Sequence, residues 1–409
     1  MLINRKIITF GIAAVCLALA GAIIWLENAD AVKADKPISI VTTIKSDPAT
    51  SRAFTWHTRW AGLETVVQLV KGNEPTFENS NEVLMFYGQS SEVRIEKGSI
   101  RGVHRAEATG LKPGTEYTYR VGDGKEGGWS KAATFRTASA LSANEAVTFI
   151  NVTDSQGTTR HDFKLWGNTL NKAFQLFPDA AFIVHNGDLT EDPIREESWT
   201  AFFEQPQKWL TSVPLMPVTG NHDEVDGDSS IFSSHFNVPA NGAEGSNEGT
   251  TYSFDYGNVH FVMLNTESNI KGQTEWLRQN LSRSDKQWTI VSIHRGAYGG
   301  NMYKKIKEWV KIFDEYGVDL VLQGHNHEYS RSFPLRGGDI VRDGEGTVYV
   351  TTNASGPKLN EKKEDQFYHR AHFQKGKPMF AGITVKDDTL SFKAYDIDGG
   401  LLDQFTLKH

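Results

Sequence analysis

Five short polar motifs in the second half of the chain carry residue types that bind divalent cations, and each follows an apolar run. Val147–Val152 leads to Asp154-Ser155-Gln156, and residues 181–184 lead to Gly187-Asp188. Residues 215–218 lead to Gly220-Asn221-His222-Asp223, residues 288–293 to His294, and residues 318–322 to Gly324-His325-Asn326-His327. Two cations held close together need a carboxylate that can bridge them, with oxygen and imidazole donors around it. Such a pair clamps the attacking and leaving oxygens of a phosphoryl displacement and lowers the pKa of bound water. No protein nucleophile is then required, and the sequence has neither a G-x-S-x-G elbow nor a cysteine outside the N-terminal segment.

The elements that must position these motifs are legible as a rhythm. Asp154 to Asp188 is 34 positions, Asp188 to Asn221 is 33, and His294 to His325 is 31. Spacings near thirty suit one strand and one helix apiece, with the ligands at the carboxyl ends of strands, where open α/β sheets build their sites. Helical stretches are expected at residues 163–177, 198–210, 274–281 and 302–316, and β alternation returns from 380 to 407. Gly187, Gly220 and Gly324 stand where the chain must leave a strand sharply. Upstream, residues 38–138 read as short β runs separated by turns, the pattern of a small β-sandwich. Residues 139–145 read as a polar linker, and the second domain extends over 145–409.

Bulk properties set outer bounds. With 409 residues the chain is long enough for two domains. A formal net charge of −7 gives no basic footprint for sequence-specific nucleic acid and leaves a small phosphorylated substrate as the expected partner. Arg5 and Lys6 precede an apolar run from 7 to 26, followed by Ala29-Asp30-Ala31. Residues 1–34 are therefore expected to be a signal peptide or a membrane anchor, the run being long enough for either. The one cysteine, Cys16, lies inside that segment, so the exported portion has no disulfide. This favours a secreted or surface-anchored bacterial protein.

Two resemblances follow from these residues. Residues 110–121, with Trp129-Ser130 and Phe135-Arg136-Thr137, resemble the late strands of fibronectin type III domains. The ligand motifs, with residues 252–261, 273–277 and 324–331, resemble the calcineurin-like metallophosphoesterases and, among them, the purple acid phosphatases. The second resemblance implies a four-layer αββα domain behind the sandwich. It implies that Asp154, Asp188 and His327 hold one metal, and that Asp188 bridges to a second held with Asn221, His294 and His325. His222 would stand beside the leaving group. The implied activity is hydrolysis of phosphate esters by direct attack of metal-bound hydroxide, on monoesters or on phosphodiesters of nucleotides, lipid head groups or wall polymers. The rival from another class is a non-catalytic surface-binding protein.

The sequence departs from that pattern at two positions. Gln156 stands where metallophosphoesterases commonly have His, and would either coordinate through its amide oxygen or orient a bound water. Glu191 stands where purple acid phosphatases have Tyr, so nothing predicts tyrosinate-stabilised Fe(III); Mn, Zn or Fe(II) would each suit the two positions. Among other candidates, Asp223 is expected to orient an imidazole. His161 and His185 are expected near the site as non-ligands, and Arg295 and Tyr298 either face substrate or support the fold. Residues 224–249, rich in Gly and Asn, are expected at the pocket rim.

Overall fold

A computed structural model describes residues 35–73, 76–77, 82–140 and 145–409. The segment 1–34, with the expected signal or anchor and Cys16, lies outside the described residues. Among these, no helix is long and apolar enough to cross a membrane.

The first eight strands are β1 (Ile38–Thr43), β2 (Arg52–Thr58), β3 (Val66–Lys71), β4 (Leu84–Tyr87), β5 (Gln89–Arg94), β6 (Ile100–Ala108), β7 (Glu116–Gly122) and β8 (Ala133–Arg136). They form two antiparallel sheets, ordered β1-β2-β6-β5 and β4-β3-β7-β8. Period-two alternation explains their packing: Val67 and Leu69 of β3 meet Tyr117, Tyr119 and Val121 of β7 in a core shared with Phe54, Trp56 and Phe135.

The second part of the chain opens with β9 (Val147–Val152), α1 (Arg160–Leu176), β10 (Ile183–His185), α2 (Glu196–Glu204), α3 (Gln207–Leu210), β11 (Leu215–Pro217) and α4 (Ser230–Ser234). It continues with β12 (Tyr252–Tyr256), β13 (Val259–Met263), α5 (Ile270–Arg283), β14 (Trp288–Arg295), α6 (Lys307–Tyr316) and β15 (Leu320–Gly324). It closes with β16 (Tyr329–Ser332), the two-residue strands β17 (Leu335–Arg336) and β18 (Asp339–Ile340), then β19 (Val348–Thr351), β20 (His369–Phe373), β21 (Met379–Lys386), β22 (Thr389–Asp396) and β23 (Leu401–Lys408).

These strands build two facing sheets, β11-β10-β9-β21-β22-β23 and β12-β13-β14-β15-β19-β16-β20. Alternation sorts side chains to either face of the second sheet. Phe261, Trp288, Ile290, Leu320 and Leu322 point into the core between the sheets. Val262, Val291, Ile293 and Val321 point outward, beneath Leu277 and Leu281 of α5 and Trp309, Ile312 and Phe313 of α6. On the far side α1 presents Phe163, Trp166, Leu170 and Phe174, a helical i, i+3, i+7 stripe, to the first sheet. Its start is fixed by a capping box between Thr159 and Asp162. The result is a helix–sheet–sheet–helix sandwich, with β9, β10 and β11 parallel in one sheet and β13, β14, β15 and β19 parallel in the other.

The two parts of the chain share a core, because Val41, Ile44 and Ala49 pack with residues of the first sheet and its helices. Thr43 Oγ1 donates to Asn237 O at 2.6 Å, and Tyr119 Oη donates to Thr211 O at 2.7 Å. The central part of residues 224–249 forms α4 and the turn after it, docks on the β-sandwich, and with Val93, Val103 and Arg105 lines a cavity there. Arg105 Nη2 donates to Ser233 O at 2.6 Å, and Asn237 Nδ2 to Ala106 O at 3.1 Å. Phe232 and Phe236 in this stretch are core residues, an apolar content that Gly- and Asn-rich flanks obscured in the sequence.

Candidate metal centre

The carboxyl ends of β9, β10, β11, β14 and β15 converge between the two sheets. Loops from β9 and β10 are tied to each other by backbone bonds: Asp154 N donates to Gly187 O at 3.0 Å and Gln156 N to Asp188 O at 3.1 Å. Asp154, Gln156, Asp188, His325 and His327 all have positive φ, between 27° and 72°. Non-glycine residues adopt that conformation at a cost, and they cluster where surrounding structure forces a side chain into a site. Gly187 has φ +90°, and a Cβ there would lie 2.7 Å from both Gly220 N and His294 Nδ1. At Gly220 and Gly324 the requirement is close approach rather than dihedral freedom, since a Cβ would collide with Asp188 Oδ1 and with Thr153 Oγ1.

Each imidazole is aimed by its other nitrogen. His294 Nδ1 faces Asn186 O at 2.8 Å, and His327 Nδ1 faces Lys358 O at 2.7 Å. Nδ1–H donates in both, so each ring turns Nε2 toward the carboxylates, the arrangement metal-binding histidines ordinarily use. His294 Nε2 lies 3.2 Å from Asp188 Oδ2 and 3.1 Å from Asn221 Oδ1, and His327 Nε2 lies 3.0 Å from Asp154 Oδ1. Donor atoms of Asp188, His294 and His325 lie within 4.8 Å of one another, as do those of Asp154, Asp188 and His327. The two groups share Asp188. Gln156 is buried, and its Oε1 has no hydrogen-bond partner. An orphaned buried acceptor of this kind fits an amide oxygen that could coordinate a cation.

The electrostatics are those of a cation site. Burial works against ionising Asp154, yet His327 holds it below the ordinary carboxylate range; burial likewise opposes Asp188, and His294 holds it low. Burial should neutralise His294, but Asp188 and Asp154 raise it to about 10. His325 goes the other way, to about 3, through burial and the charges of His294 and Arg295.

The remaining candidates sort themselves by contact. His222 Nδ1 faces Glu191 O at 2.8 Å, and its Nε2 has no partner among the described residues. Glu191 turns its carboxylate to Lys358 Nζ, 3.1 Å away, and belongs to neither donor group. Asp223 does not orient an imidazole as expected. Its carboxylate accepts from the backbone N–H groups of Asp188, Leu189 and Gly220 at 2.8, 3.0 and 2.8 Å, so it shapes the two loops beneath the bridging carboxylate. Three N–H groups close together in space leave no trace in the sequence. His185 is fully buried against Ser155, and His161 is exposed on α1. Tyr298 packs among Tyr349 and Tyr368. Arg295 reaches the centre: its Nη1 lies 3.0 Å from His325 Nε2, while Glu267 accepts from its Nε at 2.9 Å. The supports that sequence reading missed are Asn186, Glu267 and Lys358, of which two act through backbone carbonyls, a role any residue type can fill.

Comparison with known proteins matches this geometry to a class. Residues 149–329 match the calcineurin-like phosphoesterase family, and residues 37–137 match the purple acid phosphatase N-terminal domain. The fold is that of purple acid phosphatase PPD1 from yellow lupin seeds (TM-score 0.78, 20% identity, covering 91% of this chain and 74% of that one). Purple acid phosphatase 23 of Arabidopsis thaliana is 30% identical over 358 residues, which is 76% of this chain and 72% of that protein. The chain therefore belongs to the purple acid phosphatase family, metal-dependent phosphoesterases with a dinuclear centre. Purple acid phosphatase 15 of the same plant is also 30% identical, and the chain spans about half its length, 53%. Acid phosphatase type 7 of Homo sapiens is 26% identical over 343 residues, 75% of this chain and 73% of that one.

Proposed function

We propose that this chain is an exported hydrolase of phosphate esters. In this reading Asp154, Gln156, Asp188, Asn221, His294, His325 and His327 hold two metal ions, with His222 beside the leaving group. The supporting observation is that two three-residue donor groups share one carboxylate, Asp188. A bound pair of Mn, Zn or Fe ions would supply an activated water and a clamp on the phosphoryl oxygens. The protein's own part is positional. Asn186 O and Lys358 O fix two imidazoles, and His222 Nε2, with Nδ1 committed to Glu191 O, is placed to meet a leaving oxygen. Arg295, braced by Glu267, and Lys358 bring positive charge for an anionic ester.

Export rests on residues 1–34, and the fibronectin III-like reading of the sandwich rests partly on Tyr117, whose Oη accepts from Lys112 N at 3.0 Å, as in a tyrosine corner. The purified protein with Mn or Zn should hydrolyse p-nitrophenyl phosphate or its bis-ester, and their ratio assigns mono- or diesterase. Asp188→Ala should remove activity. Turnover that survives that substitution in metal-stripped protein would refute the two-metal reading.

A further inference from the structure

Beside the proposed centre lies a second set of donors that the hydrolytic reading does not use. Donor atoms of Asp365, His369 and His372 lie within 4.8 Å of one another. In a regular strand, residues three apart point to opposite faces, so His369 and His372 of β20 should not meet. A register shift between β20 and β16, opposite Arg331 and Ser332, breaks that alternation. The two rings stand 4.0 Å apart between centroids. Bulges of this kind re-aim side chains, often next to functional sites.

The imidazoles stand in the reverse sense to those of the main centre, with Nε2 rather than Nδ1 turned to the supporting oxygens. His369 Nε2 faces Gly299 O at 2.9 Å, and as a donor it leaves Nδ1 with a lone pair. His372 Nε2 faces the carboxylate of Glu328 at 3.2 Å, and its Nδ1 faces Asp365 Oδ1 at 2.8 Å. His369 thus commits Nε2–H to a carbonyl, while His372 turns Nδ1 to Asp365 and holds Nε2 at ion-pair distance from Glu328. The His372 side chain is 2% exposed and Glu328 is fully buried, yet His372 Nε2 and Glu328 Oε1 have no hydrogen bond of good geometry. Glu328 fits only because residue 300 is Gly, whose Cβ would strike its Oε1.

We propose that Asp365, His369 and His372 bind a third, divalent transition-metal ion of the zinc class, with Glu328 orienting His372. Three protein ligands with nitrogen and carboxylate donors suit zinc, and the exposure of Asp365 leaves the remaining position to water. The ion would displace three present contacts, Lys362 Nζ on Asp365 Oδ1 at 2.6 Å, His372 Nδ1 on the same oxygen at 2.8 Å and Gln366 N on His369 Nδ1 at 3.1 Å. Its effect is to pin the segment from 355 to 374. That segment holds the proposed catalytic loop, since Lys358 O receives His327 Nδ1, and Gln374 Nε2 donates to His327 O at 2.7 Å.

The test counts metal and needs no substrate. The full chain is saturated with zinc, freed of loose metal by gel filtration and assayed by elemental analysis. Wild-type protein should hold one zinc ion more than His369→Ala/His372→Ala, and Asp188→Ala should keep the third ion while losing the pair. Asp365→Asn, at a site 71% exposed and so harmless to folding, should weaken the extra ion at least tenfold in a zinc titration. Equal zinc content and unchanged titration across wild type, the double variant and Asp365→Asn would overturn the proposal. So would loss of every ion in Asp365→Asn, which would make the cluster part of the pair.

Discussion

At the scale of single residues, the centre depends on groups that never touch a metal. Asp223 is the clearest. Its carboxylate is raised well above its usual range by burial and by Asp188, yet it accepts three backbone N–H groups that have no other partner in the loops they close. Asp223→Ala strands all three, and each buried orphan costs about 1 kcal/mol or more. Denaturant titration should show a loss of about 3 kcal/mol, with activity falling at least a hundredfold as Asp188 moves. Asp223→Asn keeps the two bonds made to Oδ2 through its amide oxygen and should cost about 1 kcal/mol. Glu191 supports a second expectation. With a carboxylate paired to Lys358 where relatives would offer a phenolate, iron-loaded protein should show no tyrosinate charge-transfer band in its visible spectrum. A purple preparation would contradict that. At this scale the sequence was most informative about ligand types, because donor chemistry is a property of a side chain. It was silent on Asn186 and Lys358, which act through carbonyls.

At the scale of elements, periodicity located most of the scaffold. The helical stretch expected at 163–177 is α1, and the apolar runs at 288–293 and 318–322 are β14 and β15, whose side chains the structure divides between two cores. The expected helix at 198–210 is two, Glu196–Glu204 and Gln207–Leu210, divided at Pro206, whose missing N–H cannot continue the ladder. The expected start at 302 becomes a 3-10 turn, with α6 beginning at Lys307. Pairing between sheets was beyond reach, since it depends on contacts far apart in the chain. Arg331 of β16 and Asp403 of β23 illustrate this: Nε and Nη2 donate to the two carboxylate oxygens at 2.7 and 3.0 Å, and Tyr329 Oη donates to Oδ2 at 2.7 Å. This cluster joins the seven-stranded sheet to the six-stranded one two residues beyond His327. Asp403→Ala leaves a guanidinium nearly buried and unpaired, so stability should fall by about 3–5 kcal/mol in chemical denaturation. A double cycle with Arg331→Met should recover part of that loss, because an apolar pair removes the stranded charge. Additive losses would show that the bridge contributes little of its own.

At the scale of the whole molecule, the joint between the sandwich and the metal-binding part contains histidines held neutral. His57 of β2 stacks on His235 at 4.2 Å between centroids, and its Nε2 lies 3.3 Å from Ser234 O. Burial lowers His57 to about 4, against a partial rise from the Ser234 carbonyl, and Arg105, Arg101 and His104 add to the fall. His235 is likewise lowered, by burial and then by His57 and Arg105. The direction of the pH effect follows. Above the unfolded value of 6.5 neither state binds the proton, and the joint keeps its full stability. As pH drops below 6.5 the unfolded chain takes up a proton that the folded one refuses, so stability declines until the folded His57 titrates near 4. A gap of this size corresponds to a loss on the order of 3 kcal/mol from His57. Urea midpoints measured between pH 7 and pH 4 should therefore fall steadily, and His57→Gln, which cannot titrate, should flatten that slope while lowering the plateau at pH 7. An identical slope in the variant would place the acid sensitivity elsewhere in the molecule. The consequence is local: protection of amides in residues 52–58 from hydrogen exchange should fall as pH drops from 6.5 to 4.5, and His57→Gln should blunt that fall.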